Sequence, residues 1–138
     1  MDPKHILWPL LAQLTLSLLA YLKLVIVKAR ELKAGNVDLK AVALDQEAWP
    51  PSVRLVNNNI RNQFETPILF YVLCILLWGL GAVDTLAVSV AWIYAGSRVA
   101  HFVIHTGKNI VKYRFPMFSV GIAALVALIG LVVKALVA

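Results

Sequence analysis

Apolar residues run through this chain in four long windows, at about 6–27, 52–82, 85–106 and 115–135. Each is long enough for the ~20 residues of helix that cross the hydrocarbon core of a bilayer. None shows the strict alternation that a membrane barrel strand requires. The pattern therefore predicts an all-α integral membrane protein, a four-transmembrane-helix bundle forming a single domain over residues 1–138. The stretch "LWGLGAVDT" at 77–85 predicts a Gly-punctuated turn between spans two and three, and 107–114 reads as a short loop between spans three and four. Only the connection at 30–51 is long. It mixes both signs of charge, and Pro50 and Pro51 mark Ser52 as the cap of the next helix. Pro67, inside the second window, predicts a kink whose freed carbonyl a neighbour satisfies.

Composition agrees with a membrane setting: 61% of residues are hydrophobic and only 14% charged, more apolar matter than one soluble core of this size could hide. The net charge of +6 does not point to nucleic acid, because the cations flank apolar runs rather than interleave with aromatics on a polar surface. It reads as topology. Lys28, Arg30, Lys33, Lys40, Arg54, Arg61, Lys108, Lys112 and Arg114 fall on one side of the predicted bundle, and Lys4 and Lys134 on the other. By the positive-inside rule the segments 30–51 and 107–114 are cytoplasmic. Cys74 is the single cysteine, so no internal disulfide forms and nothing has zinc-ligand spacing. The N-terminus lacks a basic leader and a small-residue cleavage site, and is read as the first span.

The mouth of span two raises the functional question. "NNNIRNQFETPILFY" at 57–71 passes from amides and charges into hydrocarbon. On a helix Arg54, Asn58, Arg61 and Glu65 fall within about 60° of one another, with Asn62 beside them. Span three carries its own seam of Tyr94, Arg98, His101, His105 and Lys108 at helical spacing. A charge near the bilayer centre costs roughly 2.5–3.5 kcal/mol on insertion scales, so such groups face protein or water and find partners. Glu65 can pair with Arg98 or Arg61 in a contact that merely ties helices together. Yet cations outnumber carboxylates along the two stripes, and the surplus suits an anionic ligand held in a cleft. His101 and His105 stand at i,i+4 without a third ligand, and no metal is expected.

These residues resemble the membrane-associated proteins in eicosanoid and glutathione metabolism. That family of small four-span proteins includes the microsomal glutathione transferases and the leukotriene and prostaglandin synthases. "RNQFETPILFY" is similar to the family's pattern of Asn, two residues, Glu and then Pro, here Asn62, Glu65 and Pro67, with Arg61 before it as in the prostaglandin synthase branch. "SRVAHFVIHTGK" is similar to the third span of that branch at Arg98, Val99, Ala100, His101, Gly107 and Lys108. "AYLKLVIVKAR" resembles the end of the family's first span at Tyr21 and Arg30. The likeness extends over nearly the whole chain in span order and in the long first loop.

The resemblance implies a bacterial-type homotrimer in the inner membrane, binding glutathione as cosubstrate between adjacent subunits near the cytoplasmic face. It implies an Arg at the start of span four that stabilises the thiolate. Spacing kept from Arg98 puts this role on Arg114, with Lys112 as the alternative. Arg30, Asn62, Glu65, Arg98 and His101 are implied to hold the tripeptide's carboxylates and amine, and Asn58, Arg61 and His105 join them as glutathione-binding candidates on the same stripes. A free thiol has a pKa of about 8.5 and only the thiolate attacks, so a nearby guanidinium raises the reactive fraction. The expected partners are glutathione and lipophilic small molecules or lipids; the expected activity is that of a membrane-bound glutathione transferase or peroxidase. Asn58 stands where many members have Arg, His105 where a Tyr is common, and Phe115 and Phe118 where the prostaglandin synthase has Ser and Tyr. Those departures disfavour the specialised eicosanoid reactions and keep open a noncatalytic accessory protein that binds lipid or glutathione. A transporter is the third class, disfavoured by the absence of a broken-helix repeat.

Overall fold

A computed structural model describes residues 1–138. The chain is helical throughout, without strands. A 3-10 turn, Pro3–Ile6, leads into α1 (Leu7–Lys33), and a short helix α2 (Leu39–Leu44) lies in the long connection. Helices α3 (Pro51–Gln63) and α4 (Thr66–Gly79) make the second span, followed by α5 (Thr85–Thr106) and α6 (Val111–Val137). Four stretches are long and apolar enough to cross a membrane: Pro3–Lys33, Pro51–Gly79, Thr85–Thr106 and Val111–Val137. The four-span helical architecture is the one the hydropathy pattern predicts.

Span three coincides with its window because both ends carry stop signals. Asp84 caps α5 by accepting from the Ala87 N–H at 2.8 Å, and the Gly107 N–H closes its last turn on the Val103 carbonyl. Elsewhere the helices outrun the apolar windows. The first extends to Lys33 through Lys28 and Arg30, whose long stems let a charged head stay in water. The fourth starts at Val111, so the loop expected at 107–114 shrinks to 107–110 and Lys112 and Arg114 lie within the first turns of α6. Ser52 is not a cap. Pro50 occupies that position without a side-chain bond, and the Ser52 hydroxyl instead donates to Glu31 Oε1 at 2.6 Å, tying α3 to the end of α1. The connection at 30–51 is ordered by local caps: Asp38 accepts from the N–H groups of Lys40 and Ala41.

One end of the bundle is packed and the other is polar. The main core joins Ile6 to Phe70, Leu77, Ala91, Tyr94 and Leu128, with the Phe70 and Tyr94 rings stacked at 4.3 Å. Helices α5 and α6 approach closely at Gly121, where an added Cβ would stand 3.1 Å from Ser97 Oγ. Toward the opposite end only a small cluster of Val27, Val53 and Val56 remains. The outer faces of α1, α4 and α6 are lined by exposed Leu18, Val25, Leu69 and Val126, the surface that lipid tolerates.

Candidate functional site

The second span is broken rather than kinked. After Gln63 the chain leaves the helix through Phe64 and Glu65, the latter at φ −98° and ψ −96°, and restarts at Thr66. Pro67 favours the break: without an N–H it cannot bond the Gln63 carbonyl four residues back, and its ring crowds that carbonyl in a continuous helix, whereas in the first turn of α4 its missing N–H leaves nothing unsatisfied. α5 stitches the gap. Arg98 Nη2 donates to the Asn62 carbonyl at 3.2 Å, and the Tyr94 hydroxyl donates to Thr66 Oγ1 at 3.2 Å. The guanidinium thus faces the carbonyl end of α3, where a positive charge is favoured.

Beside this break lies a cavity of about 420 Å³, within the ~300–1,000 Å³ range of small-molecule sites. Asn58, Arg61, Asn62 and Glu65 line it from α3 and the break, His101 and His105 from α5, and Val111, Arg114, Phe115 and Phe118 from α6. Successive helical turns explain most of the grouping: 58 and 62, 101 and 105, and 111, 115 and 118 each share a face, while Glu65 reaches the cavity from the break. A smaller recess of about 260 Å³ shares Asn58 and Arg61 and adds Glu47 from the connection and Arg54 from the start of α3.

The charges in the cavity are not paired with one another. The ion pairs of the chain are Arg30 with Glu31 and Arg54 with Glu47. The pairing of Glu65 with Arg98 or Arg61, one of the two readings of the stripes, does not form; Arg98 donates to the Asn62 carbonyl instead. Two guanidiniums, Arg61 and Arg114, therefore share the cavity lining with one carboxylate, Glu65. Arg114 Nη1 donates to Asn109 Oδ1 at 2.8 Å, a neutral acceptor that orients the charge without cancelling it.

Seven of the residues singled out from the sequence meet here: Asn58, Arg61, Asn62, Glu65, His101, His105 and Arg114. Two stand apart. Arg98 is only 1% exposed and lies outside the lining, while Arg30 is exposed on α1 beside Glu31 at 3.9 Å. Of the two cations considered for the thiolate, Arg114 lines the cavity and Lys112 does not.

Sequence reasoning missed the residues that hold the site in place. Asn109 sits at φ +50°, a left-handed conformation that Asn tolerates better than most residues, and its N–H bonds the Ile104 carbonyl at 2.9 Å as α5 ends. Its position just after a Gly and a Lys at a helix end was the available signal. Lys23 reaches from α1 to Thr106 Oγ1 at 2.8 Å and to the Thr106 carbonyl at 3.3 Å, capping α5 from outside. A buried amide chain runs beneath the cavity: Gln13 Nε2 to Gln63 Oε1 at 2.8 Å, Gln63 Nε2 to Asn59 Oδ1 at 3.3 Å, and Asn59 Nδ2 to His105 Nδ1 at 3.2 Å.

Among known proteins, the family model described as MAPEG family matches residues 6–134. No curated protein and no solved structure matches the chain.

Proposed function

This chain belongs to the MAPEG family, the membrane-associated proteins in eicosanoid and glutathione metabolism, and on that premise we propose that its polar cavity binds glutathione and that Arg114 holds the thiolate for attack on lipophilic electrophiles. Membership and four apolar helices make it an integral multi-pass membrane protein of glutathione-related function, as an enzyme or an accessory.

The observation that carries the proposal is the unpaired surplus of positive charge: Arg61 and Arg114 line one cavity with a single carboxylate, and neither is engaged in an ion pair. Glutathione brings two carboxylates, one ammonium and a thiol. Guanidinium forks match carboxylates in geometry as well as charge, Glu65 accepts from the ammonium, and the amides of Asn58 and Asn62 supply neutral contacts. The sulfur faces Arg114, whose charge favours the ionised form. Val111, Phe115 and Phe118 form the apolar wall against which a membrane-dissolved substrate is presented.

In conjugation the thiolate lone pair forms a carbon–sulfur bond while the leaving group departs with its electron pair; on an activated alkene the adjacent carbon instead takes a proton from water. With a lipid hydroperoxide the sulfur takes the terminal oxygen, the O–O bond breaks, and the lipid alkoxide takes a proton. A second glutathione then reduces the sulfenic product to disulfide and water. Arg30 joins the site only through a second copy of the chain, and the proposal places it at the boundary of a homotrimer. Positive-inside charge orients the cleft toward the cytoplasm of a bacterial inner membrane.

Ultraviolet difference spectroscopy of the purified protein with glutathione tests this. A thiolate band is expected, lost in Arg114→Ala and retained in Lys112→Ala. A band indifferent to Arg114→Ala overturns the role of that residue, and glutathione binding without any band favours the noncatalytic accessory.

A further inference from the structure

The amide chain beneath the cavity has a direction, and that direction reaches a histidine. A primary amide donates from one end and accepts at the other, so amides in series must all point the same way. In the arrangement seen, Gln13 donates to Gln63, Gln63 to Asn59, and Asn59 to His105 Nδ1, with a second amide, Asn62 Nδ2, 3.4 Å from the same nitrogen. Gln13, Asn59, Gln63 and His105 are each at most 3% exposed, so solvent does not scramble the series. The opposite direction would make His105 Nδ1 the donor.

What selects between the two directions is the free end. Gln13 Oε1 is buried without a partner, whereas reversal would strand the Gln13 NH2 group there. Buried carbonyl oxygens are left under-satisfied more readily than N–H donors are left orphaned. The observed direction is therefore the less costly one, and it makes Nδ1 an acceptor. In a neutral imidazole the other nitrogen then carries the proton.

We infer that the chain of Gln13, Gln63 and Asn59 fixes the tautomer of His105, so that the ring offers an Nε2–H donor to an anionic group in the cavity it lines. Gln13 and Gln63 are positioning residues: they act through His105 and do not line the cavity. The inference rests on the glutathione reading only for the identity of the anion. A carboxylate or thiolate accepts from a neutral N–H donor whose position does not depend on protonating the ring.

The test is nitrogen NMR of histidine-labelled protein in micelles, without glutathione, at a pH well above the ordinary histidine range. The His105 signals are assigned by their loss in His105→Gln. The unaltered protein is expected to show the Nε2–H tautomer alone. Gln13→Glu ends the chain in a group that, ionised, only accepts; Gln63 then donates to it, Asn59 to Gln63 and His105 Nδ1–H to Asn59, so this variant is expected to bring in the Nδ1–H form, with the His5 and His101 signals unmoved as a check on the fold. Gln63→Glu, which can only accept from Asn59, is expected to do the same and serves if Gln13→Glu does not fold. An Nδ1–H form in the unaltered protein overturns the inference. So does an Nε2–H form that survives both substitutions. Because no thiol is present, this failure is separate from any failure to bind glutathione.

Discussion

Asn109 allows the backbone and the charge of the site to be perturbed separately. Its φ of +50° closes α5, and its side-chain oxygen accepts from Arg114 at 2.8 Å. Asn109→Gly keeps the left-handed backbone and loses the hydrogen bond, which to a charged but half-exposed donor is worth about 1–1.5 kcal/mol. Asn109→Ala loses the same bond and adds about 1–2 kcal/mol of left-handed strain, giving a total of about 2–3.5 kcal/mol. Asn109→Asp tolerates the backbone and keeps an acceptor, so its stability stays near that of the unaltered protein. It does, however, set a carboxylate against Arg114. For a ligand charge about 6 Å away at an effective dielectric of 20–40, the added repulsion is about 1.4–2.8 kcal/mol, or a ten- to hundredfold loss of affinity. Thermal unfolding in detergent and calorimetric titration with glutathione at low ionic strength read the two effects. An Asp variant that binds glutathione as tightly as the unaltered protein refutes the surplus-charge reasoning. An Ala variant no less stable than Gly refutes the backbone reasoning.

Gly121→Leu forces a side chain into the 3.1 Å approach at Ser97 and is expected to cost about 1–3 kcal/mol by overpacking, seen as a lowered unfolding midpoint; an unchanged midpoint means α5 and α6 do not pack so closely. Lys23→Met removes both bonds to Thr106 and is expected to lose about 1–3 kcal/mol, with faster amide hydrogen exchange confined to the end of α5. Exchange spread evenly along α5 would contradict a local cap. Arg98→Leu leaves the Asn62 carbonyl unmet at the helix break, and is expected to weaken glutathione binding together with stability, whereas Arg61→Leu lowers affinity alone. The reverse pattern would place Arg98, rather than Arg61, against the ligand.

The spans were legible because hydrocarbon imposes length, and α5 most clearly, since Asp84 and Gly107 mark its ends in the sequence. The break at Phe64 and Glu65 was hidden: a proline in an apolar run reads equally as kink or restart, and the choice depends on Arg98 and Tyr94 arriving from α5. Residues 111–114 read as loop because Lys112 and Arg114 interrupt the hydropathy, although a helix end at the membrane surface accepts them. The polar stripes of α3 and α5 announced a site because ionisable groups are costly in a span. Gln13 and Gln63, 50 positions apart, announced nothing, since a neutral amide raises no charge signal and its partner is set by packing. Asn109 offered only its place after a Gly and a Lys at a helix end, because its role lies in a backbone angle and in a bond to Arg114 that the turn sets.

A structure of the protein saturated with glutathione tests the charge surplus most directly. Density for the tripeptide is expected in the cavity, its carboxylates against Arg61 and its sulfur toward Arg114. A cavity without tripeptide density at saturating ligand, or a tripeptide bound elsewhere with both guanidiniums untouched, would contradict it.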